Sequence, residues 1–222
     1  VPNLWAATII NTTTPMAKIT NKTSAQALII FVKNPVLGKV KTRLARDIGD
    51  AAALEIYLQL LAHTAKQSRP LLGQVDIFLY FSDELPLVLG DFSPQEFRYR
   101  QQTGDDLGAR MRNAFADVFA DAYAEAVIIG SDCFELQSAH LIEAFAQIAN
   151  PKNDFVIGPA LDGGYYLLAM RQLFAPIFVA KTWSSPTVLT DTVADIQAQQ
   201  LSICYLPTLR DVDTVADLPN NR

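Results

Sequence analysis

Three nearly continuous apolar runs, residues 27–32, 75–81 and 127–130, alternate with segments whose apolar residues recur at helical spacing. Strands that are apolar on both alternating sets of side chains need cover on both faces, and parallel strands joined by helices provide it. The chain therefore reads as α/β, a Rossmann-like three-layer α/β/α sandwich. Helical spacing puts Leu54, Leu58 and Leu61 on one side of 51–66, and Met111, Phe115, Val118 and Phe119 on one side of 107–123. A third helix is expected over 141–148 after Ser138 as N-cap. Beyond Asn150 the rhythm changes. Residues 155–159 and 165–170 read as strands joined by Ala160-Leu161-Asp162-Gly163-Gly164, a turn-forming stretch that predicts a hairpin or sharp corner and hence a mixed, mostly parallel sheet. A helix over 186–200, a strand over 201–206 and a short helix over 212–218 complete the pattern.

With 222 residues, half of them apolar, the chain is long enough to bury one sizeable core. It shows neither internal repeats nor low-complexity linkers, so residues 25–222 are expected to form a single domain. Residues 1–24 are polar and turn-rich and offer too little apolar surface to offset the entropy of ordering them. They are expected to be a disordered tail, with Met16 as a candidate start. The sequence pI near 5.0 argues against nucleic acid as a partner, because duplex binding depends on many cationic contacts. No segment reaches the ~18 uninterrupted apolar residues of a membrane span. Cys133 and Cys204 lie in apolar stretches without a C-x-x-C partner, the pattern of buried free thiols in a reducing cytoplasm. There is no H-E-x-x-H and no G-x-S-x-G, so a zinc hydrolase or serine esterase finds no support. Oligomeric state cannot be read from this pattern.

Charge is distributed unevenly. Residues 33–46 hold five of the eighteen Lys and Arg residues, directly after the first apolar run, and no Asp or Glu precedes Asp47. Two readings of this segment (KNPVLGKVKTRLAR) stay open. Lys39, Arg43 and Arg46 fall at i, i+4 and i+7, as on the wet face of a helix. Alternatively, the first strand-to-helix turn of an open α/β sheet is a usual phosphate site, and cations with closely approaching N–H groups suit a phosphorylated ligand. Neither the Walker pattern nor G-x-G-x-x-G is present, so such a loop relies on side-chain cations. Asp132 ends the third apolar run, where a carboxylate suits Mg²⁺ or Mn²⁺ beside phosphate oxygens. Asp211 and Asp213 are candidates to complete the metal's ligands. Helix capping is the competing reading for both Asp132 and Asp213. Gln102 and the Asp105-Asp106-Leu107-Gly108 turn can read a base edge or cap the helix that follows.

The stretches FVKNPVLGKVKTRL, QTGDDLGARM, IIGSDCFEL, VIGPALDGGYYLLAM, KTWSSPTVL and LRDVDTVADL resemble, in this order, the glycosyltransferase-A-like proteins of the arsenosugar-biosynthesis type. These are related to phospholactate guanylyltransferases and molybdopterin-cofactor nucleotidyltransferases. The resemblance spans roughly residues 27–218 and implies a nucleotide-diphospho-sugar transferase fold. It implies that Gly38, Lys41 and Arg43 form the phosphate loop, and that Asp132 and Asp213 hold Mg²⁺ or Mn²⁺. Lys33, Gln102, Gly104, Leu107 and Gly108 then complete the nucleotide side, while Asp162, Gly163, Gly164 and Trp183 line the acceptor side, with Lys41, Arg43 and Asp162 in catalytic roles. Phe134 and Ala169 depart from the usual Pro and Gly, the former expected to affect acceptor packing near the metal. The expected activity is glycosyl transfer from a nucleotide sugar to a small acceptor. Nucleotidyl transfer to a phosphorylated acceptor with pyrophosphate release is the alternative, and silent nucleotide binding a second one.

Overall fold

The computed structural model describes residues 22–219, so the expected tail lies outside the described residues except for its last three. The chain opens with β1 (Gln26–Val32), α1 (Thr42–Ile48), α2 (Asp50–Ser68), β2 (Asp76–Phe81) and β3 (Arg98–Gln101). It continues through α3 (Leu107–Ala120), β4 (Glu125–Ile129), α4 (Ser138–Ala149), β5 (Phe155–Pro159), β6 (Tyr165–Met170), α5 (Val188–Ala198) and β7 (Ile203–Tyr205). The strands form one seven-stranded sheet in the order β3-β2-β1-β4-β6-β5-β7. β1 pairs in parallel with β2 and β4, β2 with β3, and β5 with β7, whereas β6 is antiparallel to both β4 and β5. The mixed sheet expected from the 160–164 turn is thus present.

Period-two alternation explains why the central runs are apolar throughout. Leu28, Ile30 and Val32 point to one face and pack with Tyr57 and Leu61 of α2 and Leu141 and Phe145 of α4. Ala27 and Ile29 point to the other, joining Phe78, Tyr80, Met111 and Phe115, with Ile196 of α5. The result is a three-layer sandwich. Because β6 runs against its neighbours, its amino-terminal turn emerges at the edge where β1, β2 and β4 deliver their carboxyl ends. Asp162 therefore reaches the same side as Lys33 and Asp132.

Several expectations are corrected in detail. Ser138 is the first helical residue of α4, not its cap; Gln137 holds the N-cap position and exchanges bonds with His140, while Ser138 N and Oγ donate to Gln67 Oε1 at 2.9 and 3.0 Å. The last helix is a single 3₁₀ turn, Val215–Asp217, and the last strand is only three residues long. β3 carries no apolar run and was not expected as a strand. Cys133 is buried as anticipated, but Cys204 lies half-buried on the edge strand β7. No described helix is long and apolar enough to cross a membrane.

Asp76, at the start of β2, is 5% exposed and closes the opposite edge of the sheet. It accepts hydrogen bonds from Thr23 N at 3.1 Å and from Tyr123 Oη at 2.6 Å, and pairs with Arg98 Nη2 at 2.9 Å. Thr23 Oγ1 also donates to it. Burial works to raise the carboxyl's pKa, but the hydrogen bonds from Thr23 and Tyr123 and the charge of Arg98 outweigh it, and the net direction is down. A carboxylate with a depressed folded pKa stabilises the fold above its unfolded value of about 3.9, and that contribution is lost as pH falls through the folded value. Asp76→Ala removes the shared acceptor of Thr23, Tyr123 and the half-buried Arg98 and should cost about 1–3 kcal/mol in urea unfolding at pH 7. In Asp76→Asn the stability difference between pH 7 and pH 3 should shrink; an unchanged acid slope would show that this cluster does not govern acid stability.

Candidate functional site

The loops that follow the strands and the C-terminal segment line a cavity of about 500 Å³ at the carboxyl edge of the sheet. Lys33, Lys41, Arg43, Gln102, Leu107, Asp132, Asp162, Gly164, Trp183 and Asp213 all line it. Gly38, Gly104 and Gly163, in neighbouring loops, and Gly108, in the first turn of α3, were also expected at the site and do not line it.

The basic segment divides its charges. Arg46 is exposed on α1, Lys39 is exposed in the turn before it and so outside the helix that the wet-face reading requires, and Lys41 turns inward. Its backbone occupies the left-handed region (φ 45, ψ 45) at the N-cap of α1, a conformation uncommon outside glycine. The side chain is 9% exposed, and its Nζ lies 3.2 Å from Asp132 Oδ2 and 3.7 Å from Asp213 Oδ1. Arg43 Nη1 reaches Asp213 Oδ2 at 3.1 Å from a largely exposed position. The strand end holding Lys33 is fixed by Tyr57 of α2, whose hydroxyl accepts from Lys33 N at 2.8 Å and donates to Lys33 O at 3.1 Å. Burial pushes the Tyr57 phenol up to about 12, so it stays a donor.

Asp132 and Asp213 converge through the backbone. Val212 N donates to Asp132 O at 2.8 Å, which docks the C-terminal segment on the end of β4 and delivers Asp211 and Asp213 to the cavity. Neither Asp132 nor Asp213 caps a helix. α4 starts only at Ser138, and the cap of the last 3₁₀ turn is Thr214, paired with Asp217. Asp211 lines the same cavity, and its Oδ1 is buried with no hydrogen-bond partner. Burial, with the charges of Asp132 and Asp162, pushes its carboxyl up to about 8. The four carboxylates Asp132, Asp162, Asp211 and Asp213 share this cavity with the cations Lys33, Lys41 and Arg43, of which Lys41 and Arg43 are paired with Asp132 and Asp213.

Whether this set fits a divalent cation can be judged from its donors. All are hard carboxylate oxygens and one is orphaned, which suits Mg²⁺ or Mn²⁺. Among the described residues, no three His, Cys, Asp or Glu side chains are already arranged as a metal cage.

The opposite wall joins the expected nucleotide and acceptor sides. Asp106 caps α3 by accepting from Ala109 N at 2.7 Å, and Leu107 is left 41% exposed at the cavity. Gln102 Nε2 donates to Tyr80 O at 2.8 Å, anchoring that side chain to β2. Gly108 lies beneath the Trp183 indole; a Cβ there would sit 2.3 Å from Cζ2. Gly163, at φ +91, passes so close to Pro186 that a Cβ would fall 2.1 Å from its carbonyl oxygen. Gly164 N donates to Asp162 Oδ1 at 2.8 Å, which orients that carboxylate. Phe134 packs edge-on against His63 with ring centroids 5.9 Å apart and does not line the cavity. Ala169 is fully buried within β6. The sequence reading did not single out Tyr57, Tyr165, Ser184 or Ser185, which also line the cavity.

Comparison with known proteins places this arrangement. Residues 66–185 match the family described as "Uncharacterized protein conserved in bacteria (DUF2064)". The chain belongs to this family. A crystal structure from Desulfovibrio desulfuricans G20, provisionally named a nucleotide-diphospho-sugar transferase, is 31% identical over 87% of this chain and 84% of that one, with a TM-score of 0.79. A cytidylyltransferase from Leptospira borgpetersenii shares 12% identity at a TM-score of 0.56, covering 87% of this chain and 83% of its own. Glucosyl-3-phosphoglycerate synthase from Mycobacterium tuberculosis, in complex with Mn²⁺, uridine diphosphate and glucosyl-3-phosphoglycerate, shares 8% at 0.54, covering 84% and 70%. No curated protein matches. The DUF2064 chain thus has the fold of the nucleotide-diphospho-sugar transferases.

The Gly108–Trp183 contact is testable. Gly→Ala inside a helix ordinarily stabilises by about 0.5–1 kcal/mol. In Gly108→Ala the new Cβ collides with the indole, so the expected result is a lower melting temperature and greater acrylamide quenching of Trp183 in a Trp5→Phe background. A higher melting temperature with unchanged quenching would show that the indole is not seated there.

Proposed function

We propose that this protein is a metal-dependent glycosyltransferase that uses a nucleotide sugar and a small acceptor. The observation that carries the reading is the meeting, in one cavity, of Lys41 and Arg43 from the loop after β1 with Asp132 and Asp213. The 31% identity to a protein named for nucleotide-diphospho-sugar transfer supports it, as does the resemblance of the six sequence islands to the arsenosugar-biosynthesis type. Asp132 and Asp213 would hold Mg²⁺ or Mn²⁺, which when bound supplies Lewis-acid neutralisation of charge on the departing phosphate. Lys41 and Arg43 contact the diphosphate and stabilise the same developing charge. Gln102 and Leu107 bound the base, and Trp183 with Gly164 bounds the acceptor. Asp162, oriented by Gly164 N, is placed to accept the acceptor hydroxyl's proton.

Nucleotidyl transfer is the second reading, favoured by the density of cations in residues 33–46. The 31% identity to a protein named for nucleotide-diphospho-sugar transfer weighs for the first reading.

Incubation with Mn²⁺ and a panel of nucleoside diphosphate sugars should release nucleoside diphosphate. Pyrophosphate released from a nucleoside triphosphate and a phosphorylated acceptor would favour the second reading, and binding without turnover would favour a silent nucleotide-binding protein. Arg43→Ala should weaken nucleoside diphosphate binding at least tenfold, or about 1.4 kcal/mol. Asp132→Asn, which removes one charge and nearly keeps the shape, should abolish the Mn²⁺ dependence of that binding in calorimetric titration. Intact Mn²⁺ dependence in Asp132→Asn would remove the metal from the reading.

A further inference from the structure

The geometry points to Lys41 as an internal counter-ion that holds the metal position closed until a phosphate arrives. This inference rests on the metal-dependent reading above and adds an order of binding to it.

The ammonium lies between the two carboxylates assigned to the cation, 3.2 Å from Asp132 Oδ2 and 3.7 Å from Asp213 Oδ1. A cation such as Mg²⁺ approaches carboxylate oxygens to about 2.0–2.1 Å. It would take the oxygens that the ammonium now uses, and two positive charges at that separation repel strongly in a partly buried site. Metal and ammonium therefore compete for one place.

Lys41 cannot give up its partners for solvent without rearrangement, because its side chain is only 9% exposed. A buried charge without a partner is strongly destabilising. The left-handed backbone at Lys41 separates its side chain from the exposed course of Lys39 and Arg46, which adjoin it in sequence but point outward. What the cavity offers a displaced ammonium, beyond Asp162 and Asp211, is a ligand anion. Phosphate oxygens supply it, and the metal then occupies the vacated carboxylates. Metal and phosphate thus raise each other's affinity through one side chain, a reciprocal coupling. Free divalent cation alone binds poorly, and the site selects the metal–phosphate complex.

The test uses the full chain, with Mn²⁺ alone and the Mn²⁺–pyrophosphate complex as probes in calorimetric titration. Lys41→Met should take up Mn²⁺ alone at least tenfold more tightly than the unmodified protein, whereas Lys41→Arg, which keeps the charge, should bind it as weakly. In the unmodified protein pyrophosphate should strengthen Mn²⁺ uptake at least tenfold, and in Lys41→Met that gain should shrink. Circular dichroism confirms that the variants fold; should Lys41→Met fail, Lys41→Gln carries the comparison. If the neutral variant binds Mn²⁺ alone no better than the unmodified protein, while the latter still binds Mn²⁺–pyrophosphate, the counter-ion role is overturned and the metal-dependent reading stands. If no form takes up Mn²⁺ with or without pyrophosphate, the metal-dependent reading falls, and the inference falls with it.

Discussion

One buried ammonium depends on nearly every layer of this fold. Lys41 comes from the loop after the first strand, Asp132 from the end of β4, and Asp213 from the C-terminal segment, and the three meet only because the sheet collects strand ends along one edge. Burying a charge is costly unless its partners are held in good geometry. The partners here are held by backbone: Val212 N on Asp132 O, Leu209 N on Pro159 O, and Leu161 N on Leu209 O stitch the C-terminal segment to β4 and β5. A slip in that stitching would draw the ammonium and its carboxylates apart and leave buried charge unpaired.

Much of this was legible because parallel sheets obey a simple rule about where strand ends go. The apolar runs located β1, β2 and β4, and the Asp-Gly-Gly turn located the reversal that makes β6 antiparallel. Polar islands following those runs were then bound to converge. What remained hidden depends on tertiary choice. Periodicity assigned Lys39, Arg43 and Arg46 to a helix face but could not show that Lys41 would enter a left-handed conformation and point inward. Asp213 and Thr214 are both good cap residues, and only the packing of the last turn decides that Thr214 takes the role. Tyr57 reads as a core aromatic within α2; nothing local reveals that its hydroxyl brackets the Lys33 peptide.

The glycines divide similarly. Gly104 and Gly108 read from the resemblance as parts that approach a nucleotide, and the structure shows Gly108 close against an indole. Both uses exploit the absence of a side chain, so a one-dimensional pattern cannot separate them. The structural consequence is that the first turn of α3 packs against the segment carrying Trp183, which joins the expected nucleotide and acceptor sides of the cavity.

The Arg-bearing strand β3 has a consequence of another kind. It ends the sheet with only four residues, and its two arginines are drawn back against the protein, Arg98 to Asp76 and Arg100 to Asp121. An open sheet edge is a template on which foreign strands can add, and a short rim that carries fixed charge is a poor one. The feature that hid β3 from pattern recognition, its lack of an apolar run, also guards the sheet against edge-to-edge aggregation.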